Sequence, residues 1–354
     1  MRDSAVGVDD VTAAFDTRLT ELVARRKEHS RAFSTPYAQL WNALERMALG
    51  GKKVRPRLLL DAYRALGGTD ERAAVDAACA IELLHVALVI HDDVIDRDLV
   101  RRGEMNITGR FASEALLRGA SRREAHAWGE ASSLLAGDLM LTLAHSVLAG
   151  IDVDESRRRT VLDIFDETVF ESAAGEHHDV WLSLQLESAT SEDVLAMVDQ
   201  KTAAYSFQAP LTLAAVLAGA PSRVVDELTV IARRIGVIYQ LRDDVLGVFG
   251  DERETGKSTF GDLREGKETL LISYARSDAA WATVAPYFGD DEMGASEAES
   301  LRRVIEESGA LLFVESLISE RCDEVHRLIR ESHLPTAMIH QLVDLVSTCD
   351  ARTS

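Results

Sequence analysis

Two stretches of this chain, residues 77–90 and 224–241, read as unusually apolar around the helix. A helix that is apolar all round is stable only where neighbours cover it completely. Each stretch therefore predicts a central helix wrapped by others. The chain supplies the wrapping: 3.6-residue periodicity predicts helices over about 10–30, 36–49, 54–66, 71–97, 122–149, 155–173, 191–218, 222–248, 267–278, 296–309, 311–331 and 335–350. No alternating strand pattern or Asn-Gly hairpin signal stands out. Ser121-Arg122-Arg123-Glu124 has the spacing of a capping box, and Ser191 precedes the acids Glu192 and Asp193. Pro221 and Pro335 fall at helix starts, and Gly50, Gly67, Gly150 and Gly219 at helix ends. No linker, repeat or low-complexity block divides the chain. The expected fold is one large all-α domain over residues 10–350, with flexible termini at 1–9 and 351–354.

Composition narrows the function. The 354 residues carry a formal net charge of −20, against the basic face that a nucleic-acid binder needs. Three widely spaced cysteines, Cys79, Cys322 and Cys349, form neither a zinc pattern nor a disulfide framework. With no signal or transit peptide at the N-terminus, a cytoplasmic location is expected. Apolar stretches are interrupted by His, Asp or Glu before membrane-spanning length, so no membrane span is expected.

Both apolar helices run into aspartates. The first ends in His91-Asp92-Asp93-Val94-Ile95-Asp96 and the second in Arg242-Asp243-Asp244-Val245-Leu246-Gly247. On a helix Asp92 and Asp96 share a face. Such acids can cap helices or pair with Arg97, Arg101 and Arg242. Two clusters, each ending a central helix, point rather to hard divalent cations such as Mg²⁺, which take oxygen ligands and bridge to phosphates. Cations that could grip a diphosphate are Lys52 and Arg55 after Gly50-Gly51, the pair Arg101-Arg102, and Lys257 and Lys267 flanking a glycine-rich segment over 250–266 with the composition of a lid. His177-His178 beside Asp179 lacks a third soft ligand for zinc. His91 is expected to be a satisfied buried histidine.

From about residue 36 to about residue 275 these motifs resemble, in order and spacing, the trans-isoprenyl diphosphate synthases of the polyprenyl synthetase family. The matching residues are Gly51-Lys52-x-x-Arg55-Pro56, Ile81-Glu82-Leu83-Leu84-His85, His91-Asp92-Asp93-x-x-Asp96, Arg101-Arg102-Gly103, Gly137-Asp138, Gly175-Glu176-x-x-Asp179, Lys201-Thr202-Ala203, Tyr239-Gln240-x-x-Asp243-Asp244, Gly256-Lys257 and residues 262–267. The resemblance implies an isoprenoid-synthase bundle around a central cavity, working as a homodimer. It implies Mg²⁺, three ions when substrate is bound, held by Asp92, Asp96 and Asp243, with Asp93 and Asp244 as close partners. It implies that Lys52, Arg55, His85 and Arg102 grip isopentenyl diphosphate. Arg101, Lys201, Lys257 and Lys267 would contact the diphosphate of a dimethylallyl, geranyl or farnesyl primer, and Thr202 and Gln240 would line the reacting carbons. Gly247 departs from the family, where many relatives carry a third Asp.

Product length in the family depends on side chains just before the first cluster. Here Leu88 and Ala87 stand four and five residues before Asp92, with Leu84 a turn further back. None is aromatic, which favours a product longer than farnesyl, geranylgeranyl first. Three other readings remain at this point: a class I terpene cyclase, an HD-type phosphohydrolase prompted by His85 and His91-Asp92, and a non-catalytic regulatory subunit.

Overall fold

The computed structural model describes residues 4–101, 103–186, 189–250, 260–290 and 292–351, with side chains from residue 12 onward. The fold is all-α, as the periodicity predicts. Its helices are α1 (Ser4–Ser30), α2 (Thr35–Leu49), α3 (Val54–Ala65), α4 (Glu71–Ile95), α5 (Ile107–Leu117), α6 (Arg122–Ala149), α7 (Glu155–Ser183), α8 (Ser191–Val198), a π-helical segment (Asp199–Gln208), α9 (Ala209–Ala218), α10 (Ser222–Phe249), α11 (Gly261–Arg264), α12 (Leu270–Ala275), α13 (Trp281–Val284), α14 (Ala295–Glu307), α15 (Ala310–Glu331) and α16 (Thr336–Asp350). One short antiparallel hairpin, β1 (Val100–Arg101) and β2 (Glu104–Met105), corrects the expectation of no strands.

The residues group into two compact units, one formed from Met1–Phe165 with Ala209–Ala220 and the other from Asp166–Gln208 with Pro221–Ser354. In the first, α4 is the central helix and packs against α1, α2, α3, α5, α6 and α9. Ile81, Leu83, Leu84 and Ile90 are almost wholly buried there. Burying each such side chain is worth about 1.5–3 kcal/mol, more than an exposed ion pair at about 0–1 kcal/mol. In the second unit α10 is covered by the π segment, α15 and α16, with Leu228, Ile235, Ile238 and Leu241 inside, but Asp226, Val230 and Arg234 stay exposed, so the expected burial on all sides is met only in part.

Local signals behave as their chemistry demands. Ser121 caps α6 with the reciprocal Glu124 contact of a capping box. The cap of α8 is Thr190, one residue before the expected Ser191, and Asp193 completes its box. Two helices, Glu71–Ile95 and Arg122–Ala149, are long and apolar enough by length and composition to cross a membrane, so the expected interruption is not met. In α4, 78% of that window is buried, so its apolarity serves the core of its unit.

Candidate active site

The first aspartate cluster sits where α4 stops. Asp96 is the C-cap, and Arg97 turns left-handed with φ of 60°. The N–H of Asp98 then donates to the Asp93 carbonyl at 2.9 Å, and that of Arg97 to the Val94 carbonyl at 3.3 Å. This Schellman closure satisfies the last carbonyls of the helix and turns the chain into the β1–β2 hairpin. The hairpin returns Arg101 onto the cluster. Its Nε donates to Asp93, and its Nη2 lies 3.0 Å from Asp92. Burial is the largest influence on Asp93 and pushes its carboxyl up to about 6, opposed by the Arg101 guanidinium. On the face towards α6, a Cβ at Gly137 would fall 2.2 Å from the His91 ring, so only glycine lets that ring lie against the helix. His91 is half-buried, and its Nε2 stands 3.5 Å from Asp138.

The Gly51-Lys52-x-x-Arg55 loop is anchored by a residue the motif reading passed over. Lys53, in the left-handed region at φ of 53°, donates from Nζ to the Ala48 carbonyl and to Glu82 Oε1 at 2.8 Å. The Glu82 side chain is only 6% exposed. Glu82 therefore ties the start of α3 to α4 through Lys53 and leaves Lys52 exposed, with Arg55 and His85 half-buried. Ala87 and Leu84 are fully buried and Leu88 half-buried. Arg102 lies outside the described residues.

In the second unit, Lys201 and Thr202 lie in the π segment. Lys201 Nζ reaches Asp179 at 2.6 Å and Glu176 at 2.9 Å, both on α7. A Cβ at Gly175 would fall 2.2 Å from the Lys201 nitrogen, so the Gly-Glu-x-x-Asp motif is a close helix crossing as well as an acid pair. Thr202 Oγ1 donates to Gln240 Oε1 at 2.9 Å, and Gln240 Nε2 donates to Asp244 Oδ1 at 2.8 Å. Asp244 is buried, and burial pushes its carboxyl up to about 8, with Asp262, Asp243 and Asp179 adding repulsion and Gln240 opposing them. Lys267 is 2.9 Å from Glu265. Lys257, with the segment 251–259 of the expected lid, lies outside the described residues.

The Gly247 departure has a structural counterpart. A Cβ built there would fall 2.1 Å from Asp262 Oδ2. The carboxylate of Asp262 thus fills the space that a side chain at 247 would need. Asp262 belongs to a motif the sequence reading had quoted, yet only its juxtaposition with Gly247 gives it this place.

Among the described residues no three His, Cys, Asp or Glu side chains converge closely enough to hold an ion by themselves. The residues nonetheless fit Mg²⁺. The acids are all-oxygen donors, and burial penalises Asp93 and Asp244 as anions, a cost a divalent cation offsets. Mg²⁺ commonly takes one or two carboxylates and completes its shell with water and substrate phosphate.

Residues 38–305 match the family model described as polyprenyl synthetase. The chain is 32% identical over 278 residues to a geranylgeranyl diphosphate synthase of Methanosarcina mazei, covering 78% of each chain. It is 35% identical over 256 residues to a (2E,6E)-farnesyl diphosphate synthase of Mycobacterium tuberculosis, covering 69% of this chain and 65% of that one. Among solved structures it is similar to a geranylgeranyl pyrophosphate synthase from Corynebacterium glutamicum complexed with isoprenyl diphosphate and magnesium. That likeness has a TM-score of 0.90 at 26% identity, covering 98% of this chain and 99% of the other. These matches displace the cyclase, phosphohydrolase and regulatory readings. The chain belongs to the polyprenyl synthetase family and is a trans-prenyl diphosphate synthase.

Proposed function

We propose that this synthase condenses isopentenyl diphosphate with an allylic diphosphate, dimethylallyl, geranyl or farnesyl, and releases geranylgeranyl diphosphate. The observation that carries the product length is Ala87. It is a fully buried methyl group five residues before Asp92, flanked by Leu84 and Leu88 rather than by an aromatic ring. The Methanosarcina relative's name supports the same length, while the mycobacterial relative is a farnesyl synthase, so the assay must decide between them. Purified protein given isopentenyl diphosphate, each primer and Mg²⁺ should yield a twenty-carbon linear diphosphate. Ala87→Phe should shorten it by at least one five-carbon unit. An unchanged product profile would remove Ala87 from the chain tunnel.

Asp92, Asp96 and Asp243 are assigned as Mg²⁺ ligands, three ions in all, with Asp93 and Asp244 as their neighbours. Bound Mg²⁺ would stabilise negative charge on the departing allylic diphosphate as a Lewis acid. Arg101, Lys201, Lys257 and Lys267 hold that diphosphate, and Lys52, Arg55, His85 and Arg102 hold the other. Fixed cations aimed at developing charge lower the ionisation barrier without reorganising during the reaction. Thr202 and Gln240 line the carbons, where Gln240 Oε1 offers an oxygen dipole to the allylic cation. Loss of a proton after the new carbon–carbon bond forms restores the double bond, and the released diphosphate accepts it.

A homodimer is supported by apolar side chains left on the surface of α5 and α6, among them Leu117 at 89% exposure, Leu135 and Trp128. A cytoplasmic setting is supported by three free cysteines. The single-domain reading over 10–350 is supported by a family match that runs from 38 to 305.

A further inference from the structure

The π segment Asp199–Gln208 is the least expected element of the fold. The i→i+5 helix is rare and occurs mostly as single-turn bulges, so ten residues of it need outside support. Two helices press on it. Gly175 of α7 meets it at Lys201, and Gly236 of α10 meets it at Ala203, where a Cβ would fall 2.5 Å from the Ala203 Cα. Those contacts set distance. They do not set the rotation of the segment about its axis, which decides where Lys201 and Thr202 point.

One side chain touches both ends. Arg233 of α10 is mostly buried, with 22% of its side chain exposed. Its Nε donates to Asp199 Oδ1 at 3.0 Å and to Oδ2 at 3.1 Å, and its Nη2 donates to Oδ2 at 2.5 Å. Its Nη1 donates to Gln208 Oε1 at 2.8 Å and to Glu171 of α7 at 2.5 Å. Asp199 and Gln208 are the first and last residues of the segment. Nine residues of α-helix make about two and a half turns, which would put these two side chains on opposite faces. One planar guanidinium could not reach both. The wider π turn brings them to the same face, so the double contact exists only in that geometry.

We propose that Arg233 is a positioning residue of the synthase: it locks the π register, and through it the placement of Lys201 on Asp179 and Glu176 and of Thr202 on Gln240. Relaxation to α geometry would rotate Lys201 and Thr202 away from these partners. This rests on the roles of Lys201 and Thr202 given above, and the experiment separates the two.

Arg233→Met should lower kcat/KM for the allylic primer on the order of 10- to 100-fold, the scale of a small misplacement. The KM for isopentenyl diphosphate should move by no more than about twofold. Arg233→Lys, which keeps charge without the fork, should lie between wild type and Met. In a cycle with Lys201→Met, the double variant should lose clearly less than the product of the two single losses, because the Lys201 part of the Arg233 effect is already gone while the Thr202 part remains. Multiplicative losses would overturn the proposal. If Lys201→Met is itself fully active, the assigned role of Lys201 fails, and amide exchange then judges the clamp. Faster exchange confined to residues 199–208 in Arg233→Met upholds it, and unchanged exchange there overturns it. Gln208→Leu, which releases one end only, gives the same readouts should Arg233→Met not fold.

Discussion

The two aspartate clusters are built on similar helices and neutralised differently. At the end of α4, Asp93 faces a guanidinium that the hairpin delivers, and its carboxyl rises only to about 6. Within α10, Asp244 has the side-chain amide of Gln240 and three acids around it, and its carboxyl rises to about 8. An amide dipole offsets less buried charge than a cation does. Burial is the largest influence on both carboxyls, and Arg101 gives the first cluster part of its counter-charge within its own unit.

The largest effect should come from removing a proposed metal ligand on each side. Asp92→Asn and Asp243→Asn should each lower kcat on the order of 10²- to 10⁴-fold, several kcal/mol of lost charge stabilisation. Retained activity in either variant would remove that aspartate from the proposed metal ligands. A smaller effect tests the crowding at Gly247. Gly247→Asp sets a carboxylate against that of Asp262 and should lower activity about tenfold, with a raised Mg²⁺ half-saturation, on the scale of like charges in contact. Gly247→Asp/Asp262→Gly should recover most of it. Recovery would show that the third acid can come from either element, whereas a fully active Gly247→Asp would show that Asp262 has no such place.

The smallest effect is on stability. Both raised carboxyls favour the protonated folded state, so their contribution is complete below the unfolded value near 3.8. It is lost as pH rises through about 6 for Asp93 and about 8 for Asp244. Melting temperatures of the metal-stripped protein should fall from about pH 4, more steeply up to about pH 6 while both carboxyls contribute, and then more gently to about pH 8 while Asp244 alone does. Mg²⁺ with inorganic diphosphate should flatten the curve. A flat profile without metal would contradict the unequal neutralisation.

Much of this is legible in the sequence. Apolarity marked α4 because burial on nearly every side leaves little polar face to disguise the signal, and the Ser121–Glu124 capping box acts within four residues. What stayed hidden depends on distant contacts. The segment DQKTAAYSFQ reads as ordinary helix, since the contacts it makes with Gly175, Gly236 and Arg233 come from distant parts of the chain. The periodic signal of α7 faded at residue 173 because Gly175 weakens an isolated helix, yet the helix runs to Ser183. The short α5 was missed for the same reason, with Gly109 in its first turns beneath the Leu99 carbonyl. The site motifs were legible as a set, but the anchoring of Lys53 by Glu82 and the stand-in position of Asp262 required the fold.

Three of the proposed diphosphate-binding cations are already engaged: Arg101 with Asp92 and Asp93, Lys201 with Glu176 and Asp179, and Lys267 with Glu265. On the proposed roles, substrate entry is then an exchange of partners rather than a capture by bare positive charge. When Arg101 turns to a phosphate oxygen, the carboxylate it leaves is the one assigned to Mg²⁺. Neither half of that exchange is favourable alone, since one strands an anion and the other strands a cation. Metal and diphosphate should therefore bind as partners of opposite charge, each raising the other's affinity.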